Sequence, residues 1–405
     1  MKQRGALFVL LFALCMALSC AAWAENREPI RLIDIDPTSF WKDNGIRKTN
    51  VSYDPWGDSV ALLRGENAAD LMVLRSYNDD FAVFRDSGLL ADLSASEAIR
   101  EAVDRMTPAI RQLITADDGR ILALPYRAGL HPFYWSQEAW DAAGLTEADV
   151  PQSYEELLDF IERWIERIQD EPKKDVCVSR LTTWNTGTEK YNYCWWLMET
   201  LLTSWELQQR HAGEAVHFGT AEFAALAERT RELALALYEA EPRQKKRAAM
   251  LELFQNDLRG GKYANGGSEY GISHTVPLRV TADQPLVMSA YMEMYVVREG
   301  SDWRDEAIAF LEQQLSEDDW RFIHCLYEDF DPDDYADCWV TRGWLADYRA
   351  YEGEMLFTPV VFHGVRGAET GKESAMMQFF EGKITAREMA DRLDELIGYA
   401  PKNEG

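Results

Sequence analysis

One stretch, Asp117–Trp135 (DDGRILALPYRAGLHPFYW), constrains the fold more than any other. Asp-Gly makes a turn, ILALPY is a short apolar run interrupted by Pro125, and FYW is a second run before a helix predicted from Ser136. Proline cannot donate to a central ladder, and the residue before it favours the extended region. Pro125 is therefore expected where one sheet ends and the chain crosses to another, and Gly129 is expected between two sheets. On this stretch alone an ordinary hairpin edge fits equally well. The continuation SQEAWDAAGL carries the helix to Leu145.

A chain of 405 residues is long enough for two domains with full cores. Its composition, 47% hydrophobic and 27% charged, is that of a globular protein. The formal charge of −27 argues against nucleic acid or an anionic membrane as partner, since both need a basic footprint. The 14 Trp and 17 Tyr exceed what a core requires and suit a ligand held by stacking.

The first residues read as a targeting segment. Lys2 and Arg4 precede an apolar run, Ala6–Leu18, and Ala22-Trp23-Ala24 supplies a small-residue cleavage pattern. The run is too short to span a membrane. Residues 1–24 are thus an expected signal peptide and the mature chain an exported one. Cys20 offers a second reading, a lipid anchor, although Ala17 stands where a lipoprotein box carries Leu. Four cysteines remain after the leader: Cys177, Cys194, Cys325 and Cys338. In an oxidising compartment three pairings are open to them. The local ones, Cys177–Cys194 and Cys325–Cys338, are expected, with buried free thiols as the alternative. No CxxC or HxxxH spacing supports zinc.

Along the mature chain, Ile30–Ile35, Val51–Tyr53 and Ala69–Leu74 read as strands, and a helix is predicted around Asp58–Arg64. Another helix is predicted from Ser96 through Ile99, Val103, Met106 and Ile110. Strands alternating with helices imply a mostly parallel sheet, whose ligands sit at the carboxyl ends of the strands. Arg75–Asn78 is therefore a candidate wall of a site. Ser153-x-x-Glu156 and Thr385-x-x-Glu388 are capping boxes that open amphipathic helices. Trp195 and Trp196 read as core. Trp184 and Tyr191 lie among Asn185, Thr186, Gly187 and Asn192, a mix that suits a loop around a polar ligand. Gly260-Gly261-Lys262 and Gly266-Gly267-Ser268 lack the phosphate-loop arrangement but permit close backbone approach. Leu286–Val297 is a long predicted strand and Asp302–Leu315 a helix. The run of aspartates from Asp329 to Asp337 lacks the Gly and Glu of a calcium loop and reads as a solvated acidic segment. No GxSxG, HExxH or CxxC is present, so no catalytic set, metal or cofactor is expected.

Six pieces, in order, carry a resemblance: ADLMVL after LLRGEN, GLLADLS, the DGRILALPYRAGLHPFYWSQEAWDAAGL block, VPQSYEELLDFIE, LVMSAYMEMYVVREGSDWRDEAIAFLEQQLS, and FFEGKITAREMADRLDEL. Together they resemble an extracellular solute-binding protein of an ABC importer, of the sugar-binding class. The family's strand-to-hinge block usually has Asn-Lys where this chain has Ser136-Gln137, and its helix often starts Thr-Trp where this chain has Ser153-Tyr154. The resemblance implies an α/β, type II periplasmic-binding-protein-like fold, with two lobes of mostly parallel sheet flanked by helices and joined by hinge segments. Residues 25–127 and 286–328 would form lobe I, and 128–285 and 329–405 lobe II. It implies an extracytoplasmic monomer that closes on a small ligand and delivers it to an ABC transporter permease. On loop position and residue type, the expected ligand contacts are Asp36, Ser76 and Tyr77 from the first lobe, and Trp184, Tyr191, Ser268, Glu269 and Tyr270 from the second. Arg127 is expected on the crossing. A secreted carbohydrate-acting enzyme and a sensor without a transporter remain alternatives.

Overall fold

The computed structural model describes residues 27–35, 39–51, 59–65, 67–75, 81–130, 133–136, 140–141, 143–170, 176–177, 189–240, 249–250, 254–255, 273–276, 279–316, 326–334, 349–350, 355–357, 362 and 367–399. In strand segments 127–130, 133–136, 176–177, 249–250, 254–255, 273–276, 288–291 and 355–357 the description is of the backbone. The strands are β1 (Ile30–Ile33), β2 (Lys48–Asn50), β3 (Leu71–Arg75), β4 (Leu124–Leu130), β5 (Phe133–Ser136), β6 (Val176–Cys177), β7 (Ala249–Met250), β8 (Phe254–Gln255), β9 (Ser273–Val276), β10 (Met288–Val297) and β11 (Met355–Phe357). The helices are α1 (Ser39–Asp43), α2 (Phe81–Asp86), α3 (Glu97–Arg105), α4 (Pro108–Ile114), α5 (Tyr154–Asp170), α6 (Asn192–His211), α7 (Ala221–Ala240), α8 (Arg304–Leu315), α9 (Ala368–Phe380) and α10 (Ala386–Leu396).

The continuous apolar run of β3 is buried along its length until Arg75, as a strand covered on both faces must be. It pairs in parallel with β1, and β1 in parallel with β2. The sheet order is β11-β10-β3-β1-β2, with β4 also on β10. The direction reverses at β10, which runs antiparallel to both β3 and β4. This sheet is therefore mixed. Helices α3 and α8 cover it with Ile99, Ala102 and Val103, and with Ala307, Phe310 and Leu311. Trp41 of α1 stacks on Phe310 at 5.0 Å. Ser96 caps α3 by accepting from the Ile99 N–H at 3.2 Å.

Two expected helices differ. The one predicted from Ser96 through Ile110 is two helices, α3 and α4, because Thr107 precedes Pro108 and takes extended angles (φ −61°, ψ 150°). Of the helix expected around Asp58–Arg64, the described residues 59–64 form only a 3₁₀ turn over Ser59–Leu63. A short strand forms at Lys48–Asn50; of the strand expected at Val51–Tyr53, Val51 follows it and residues 52 and 53 lie outside the described residues.

The buried residues form two separate apolar clusters. One draws on Ile30 to Leu124 and Met292 to Phe330, the other on Trp140 to Val280 and Phe362 to Leu393. The second is built mainly from helices. Tyr154, Leu157, Ile161, Trp164 and Ile168 of α5 pack against α6 and α7. The fully buried Tyr154 hydroxyl donates to the Leu197 carbonyl at 2.9 Å and lies 2.8 Å from the Thr230 hydroxyl. The remaining strands form an antiparallel β8-β5-β9 sheet and a parallel β6-β7 pair. Cys194 lies in this core as a buried free thiol, so the expected Cys177–Cys194 disulfide is not formed. Its place on the inward face of α6 holds it among apolar side chains. The Cys325–Cys338 pair lies outside the described residues.

The opening stretch is not a single hairpin. β4 belongs to the first sheet and β5 to the second, so the chain crosses between them. The crossing comes later than Pro125. Pro125 pairs with Met294 inside β4, and Gly129 pairs with Tyr291 in the same ladder, not between sheets. The register shifts between Glu293 and Met294, leaving Tyr126 as the extra residue of a bulge. Proline is tolerated at such an irregularity, and the ten-residue β10 continues the ladder beyond it. β4 thus runs through the expected lobe boundary at 127, and Phe330, just past 328, packs in the first cluster.

Candidate functional site

The carboxyl ends of β1 and β3 lie side by side where β4 and β10 pass. β1 leads into Asp34, which has φ 55°, the one non-glycine with positive φ among the described residues. Such a conformation costs of order 1–3 kcal/mol and concentrates at functional sites. β3 ends in Arg75, whose guanidinium forms an ion pair with the Asp34 carboxylate. Its Nε lies 3.5 Å from Oε1 of Glu293. The other oxygen of Glu293 accepts from the Tyr126 hydroxyl at 2.9 Å. Tyr126, the bulged residue, stacks on Tyr295 with centroids 4.4 Å apart. Burial first, and then the Glu293 carboxylate, push the Tyr126 phenol far above its ordinary value, so it remains a donor.

Exposure is graded across this group. Asp34 has 36% of its side-chain surface exposed, Arg75 22% and Glu293 8%. The outer members can meet a ligand, while the inner ones fix their positions. Chemically, the rim offers carboxylate acceptors beside guanidinium donors, a set suited to hydroxyl groups, which both donate and accept. Among the described residues no group of three or more His, Cys, Asp or Glu is placed to hold a metal ion. No helix there is long and apolar enough to cross a membrane.

Of the expected contacts, Asp36, Ser76, Tyr77, Trp184, Ser268, Glu269 and Tyr270 lie outside the described residues. Arg127 is on β4, paired through its backbone with Glu293, which is also the register partner of Arg75 on β3. Tyr191 is half-buried before α6, its ring 6.3 Å from that of Phe380. Trp195 and Trp196 pack against the second core, but their indole N–H groups are buried with no hydrogen-bond partner among the described residues. Sequence reasoning placed Arg75 in a candidate wall of the site but missed Asp34, Tyr126 and Glu293 as members of this group. Glu293 had a legible signal: it is the one carboxylate inside the apolar run LVMSAYMEMYVV. The others adjoin expected positions, and only the ladder shows that they meet.

Comparison with known proteins agrees with this architecture. The bacterial extracellular solute-binding protein family matches residues 38–313. No curated protein matches the sequence. A sugar transporter structure from Bacillus licheniformis, in complex with stachyose, superimposes with TM-score 0.55 at 14% identity, covering 91% of this chain and 98% of that one. A structure from work on xylan utilisation by Caldanaerobius polysaccharolyticus gives 0.54 at 14% identity, covering 91% and 99%. An ABC substrate-binding protein from Listeria monocytogenes, in complex with cycloalternan, gives 0.50 at 11% identity, covering 92% and 99%. At these identities the likeness is one of fold, the α/β fold of periplasmic-binding-protein type, and the family assignment rests on the sequence match. The chain belongs to the bacterial extracellular solute-binding proteins.

Proposed function

We propose that the chain is the extracytoplasmic substrate-binding component of an ABC importer, and that it binds a carbohydrate between two lobes and presents it to the permease. The group Asp34–Arg75–Glu293–Tyr126, at the carboxyl ends of β1 and β3 beside the crossing strands, carries this reading. One lobe is built around the first core and the other around the second, with β4 and β10 leading into the crossings. Asp36, Ser76 and Tyr77 continue directly from the described wall of the site. Arg127, Trp184, Tyr191, Ser268, Glu269 and Tyr270 complete it. The protein acts as a monomer and catalyses no reaction on its ligand. Neighbours of the same fold, solved in complex with stachyose and with cycloalternan, support an oligosaccharide as the ligand class. The test is a thermal-shift screen over sugars and oligosaccharides. A ligand at a hundredfold its Kd stabilises the folded state by about 2.7 kcal/mol, a shift that such a screen reads directly. If peptides or ions shift the melt while no carbohydrate does, the carbohydrate assignment fails.

A further inference from the structure

We propose that the Arg75 ion pairs make the site selective for uncharged ligands, so that Asp34 acts as a specificity-determining residue against uronates and other anions. The inference rests on the reading that the Asp34–Arg75–Glu293–Tyr126 group lines the ligand cleft. A solvent-accessible arginine at the end of a strand would ordinarily attract a carboxylate, which it binds in a forked geometry. Here the guanidinium is already engaged from two sides. Asp34 holds it from the exposed rim, and Glu293 approaches its Nε from below at 3.5 Å. Glu293 is in turn held by the Tyr126 hydroxyl at 2.9 Å, so neither inner carboxylate oxygen is left to swing aside. A carboxylate on the ligand must therefore displace Asp34 or sit beside it, and like charges at close quarters repel. A hydroxyl has no such conflict. It donates to Asp34 and accepts from Arg75 while the pair stays intact. A cationic ligand would gain Asp34 only by competing with Arg75 for it.

The geometry also supplies a clean variant. Asp34 has φ 55°, a conformation that asparagine adopts at least as readily as aspartate. Asp34→Asn thus keeps shape and backbone while removing the charge that holds Arg75. The experiment is titration calorimetry with three matched trisaccharides, ending in glucose, glucuronate or glucosamine, against the unchanged protein and Asp34→Asn. The unchanged protein should bind the glucose form more tightly than the glucuronate form by about tenfold or more. In Asp34→Asn the two should come within about threefold, chiefly through tighter binding of the glucuronate form. Equal or preferred binding of glucuronate by the unchanged protein overturns the proposal. So does an unaltered ratio in an Asp34→Asn protein whose melting temperature is preserved. The same series is run with N-acetylated, C-amidated dipeptides bearing neutral, anionic or cationic side chains. If only dipeptides bind, the carbohydrate reading falls, and the order of the neutral and anionic dipeptides still decides the charge selectivity. Silence from both series overturns the placement of the ligand at this group.

Discussion

Asp70 accepts hydrogen bonds from the Arg31 N–H at 2.8 Å, from the Arg298 guanidinium at 2.7 Å and from the Ser301 hydroxyl at 2.7 Å. It is 4% exposed, so β1, β3 and the end of β10 meet on one buried, fully engaged charge. Removing one partner of such a pair strands the other. Asp70→Ala should therefore lower unfolding stability by about 3–5 kcal/mol, read as a shifted urea midpoint. A loss below about 1 kcal/mol would show that the pair is not held as described. Burial pushes the Cys194 thiol up to about 12, which keeps it protonated at neutral pH. Peptide mapping after iodoacetamide treatment at pH 8 should find Cys194 unmodified in the native protein and modified after denaturation, because the thiolate is the nucleophile. Modification under native conditions would contradict its burial. These residues also mark the limit of legibility. An aspartate before an apolar strand and a cysteine on a helix are visible in a sequence. That one knots three strands and the other faces a core depends on partners as many as 231 residues away.

The C-terminal helix α10 was readable almost to the residue. The Thr385 hydroxyl accepts from the Glu388 N–H at 3.2 Å, and the Glu388 carboxylate accepts from the Thr385 N–H at 2.7 Å. These bonds hold the Glu388 carboxyl below its usual 4.5, with the Thr385 N–H the larger cause. A folded value below the unfolded one means the contribution is present above pH 4.5 and is lost as pH falls through the folded value. Hydrogen-exchange protection in the first turn of α10 should therefore drop as the pH falls below 4.5, and Glu388→Gln should flatten that dependence. An identical drop in the variant would assign it elsewhere. Thr385→Ala should cost about 1 kcal/mol in the same helix. The box at α5 was only half right. Ser153 accepts from the Glu156 N–H at 3.2 Å, but the Glu156 carboxylate takes the Gln152 N–H at 2.7 Å. Local hydrogen bonds like these are written in a few adjacent residues. The bulge at Tyr126 is not, because it is a property of the ladder between β4 and β10, whose paired residues lie far apart in the chain.

At the scale of the whole molecule, two apolar clusters joined through crossing strands suit a hinge. Saturating ligand should reduce the radius of gyration measured by small-angle X-ray scattering, and an unchanged value at saturation would argue against closure. The α10 helix is tied into the second cluster from far away: Asp394 accepts from the Phe218 and Gly219 N–H groups at 2.7 and 2.9 Å. A Cβ at Gly219 would come within 2.7 Å of that carboxylate, so Gly219→Ala should loosen α10 and lower the melting temperature. Periodicity, capping residues and the order of apolar runs determined, from the sequence alone, the α/β class, most helices and the fact of a crossing after ILALPY. Those signals are local, spanning a few residues each. Tertiary structure alone decided that β10 reverses the sheet, that Pro125 lies within β4 and Gly129 within one ladder, and that Asp34, Arg75, Tyr126 and Glu293 meet. The physical reason is that strand order and register are set by side chains brought together from distant parts of the chain, so no short window contains them.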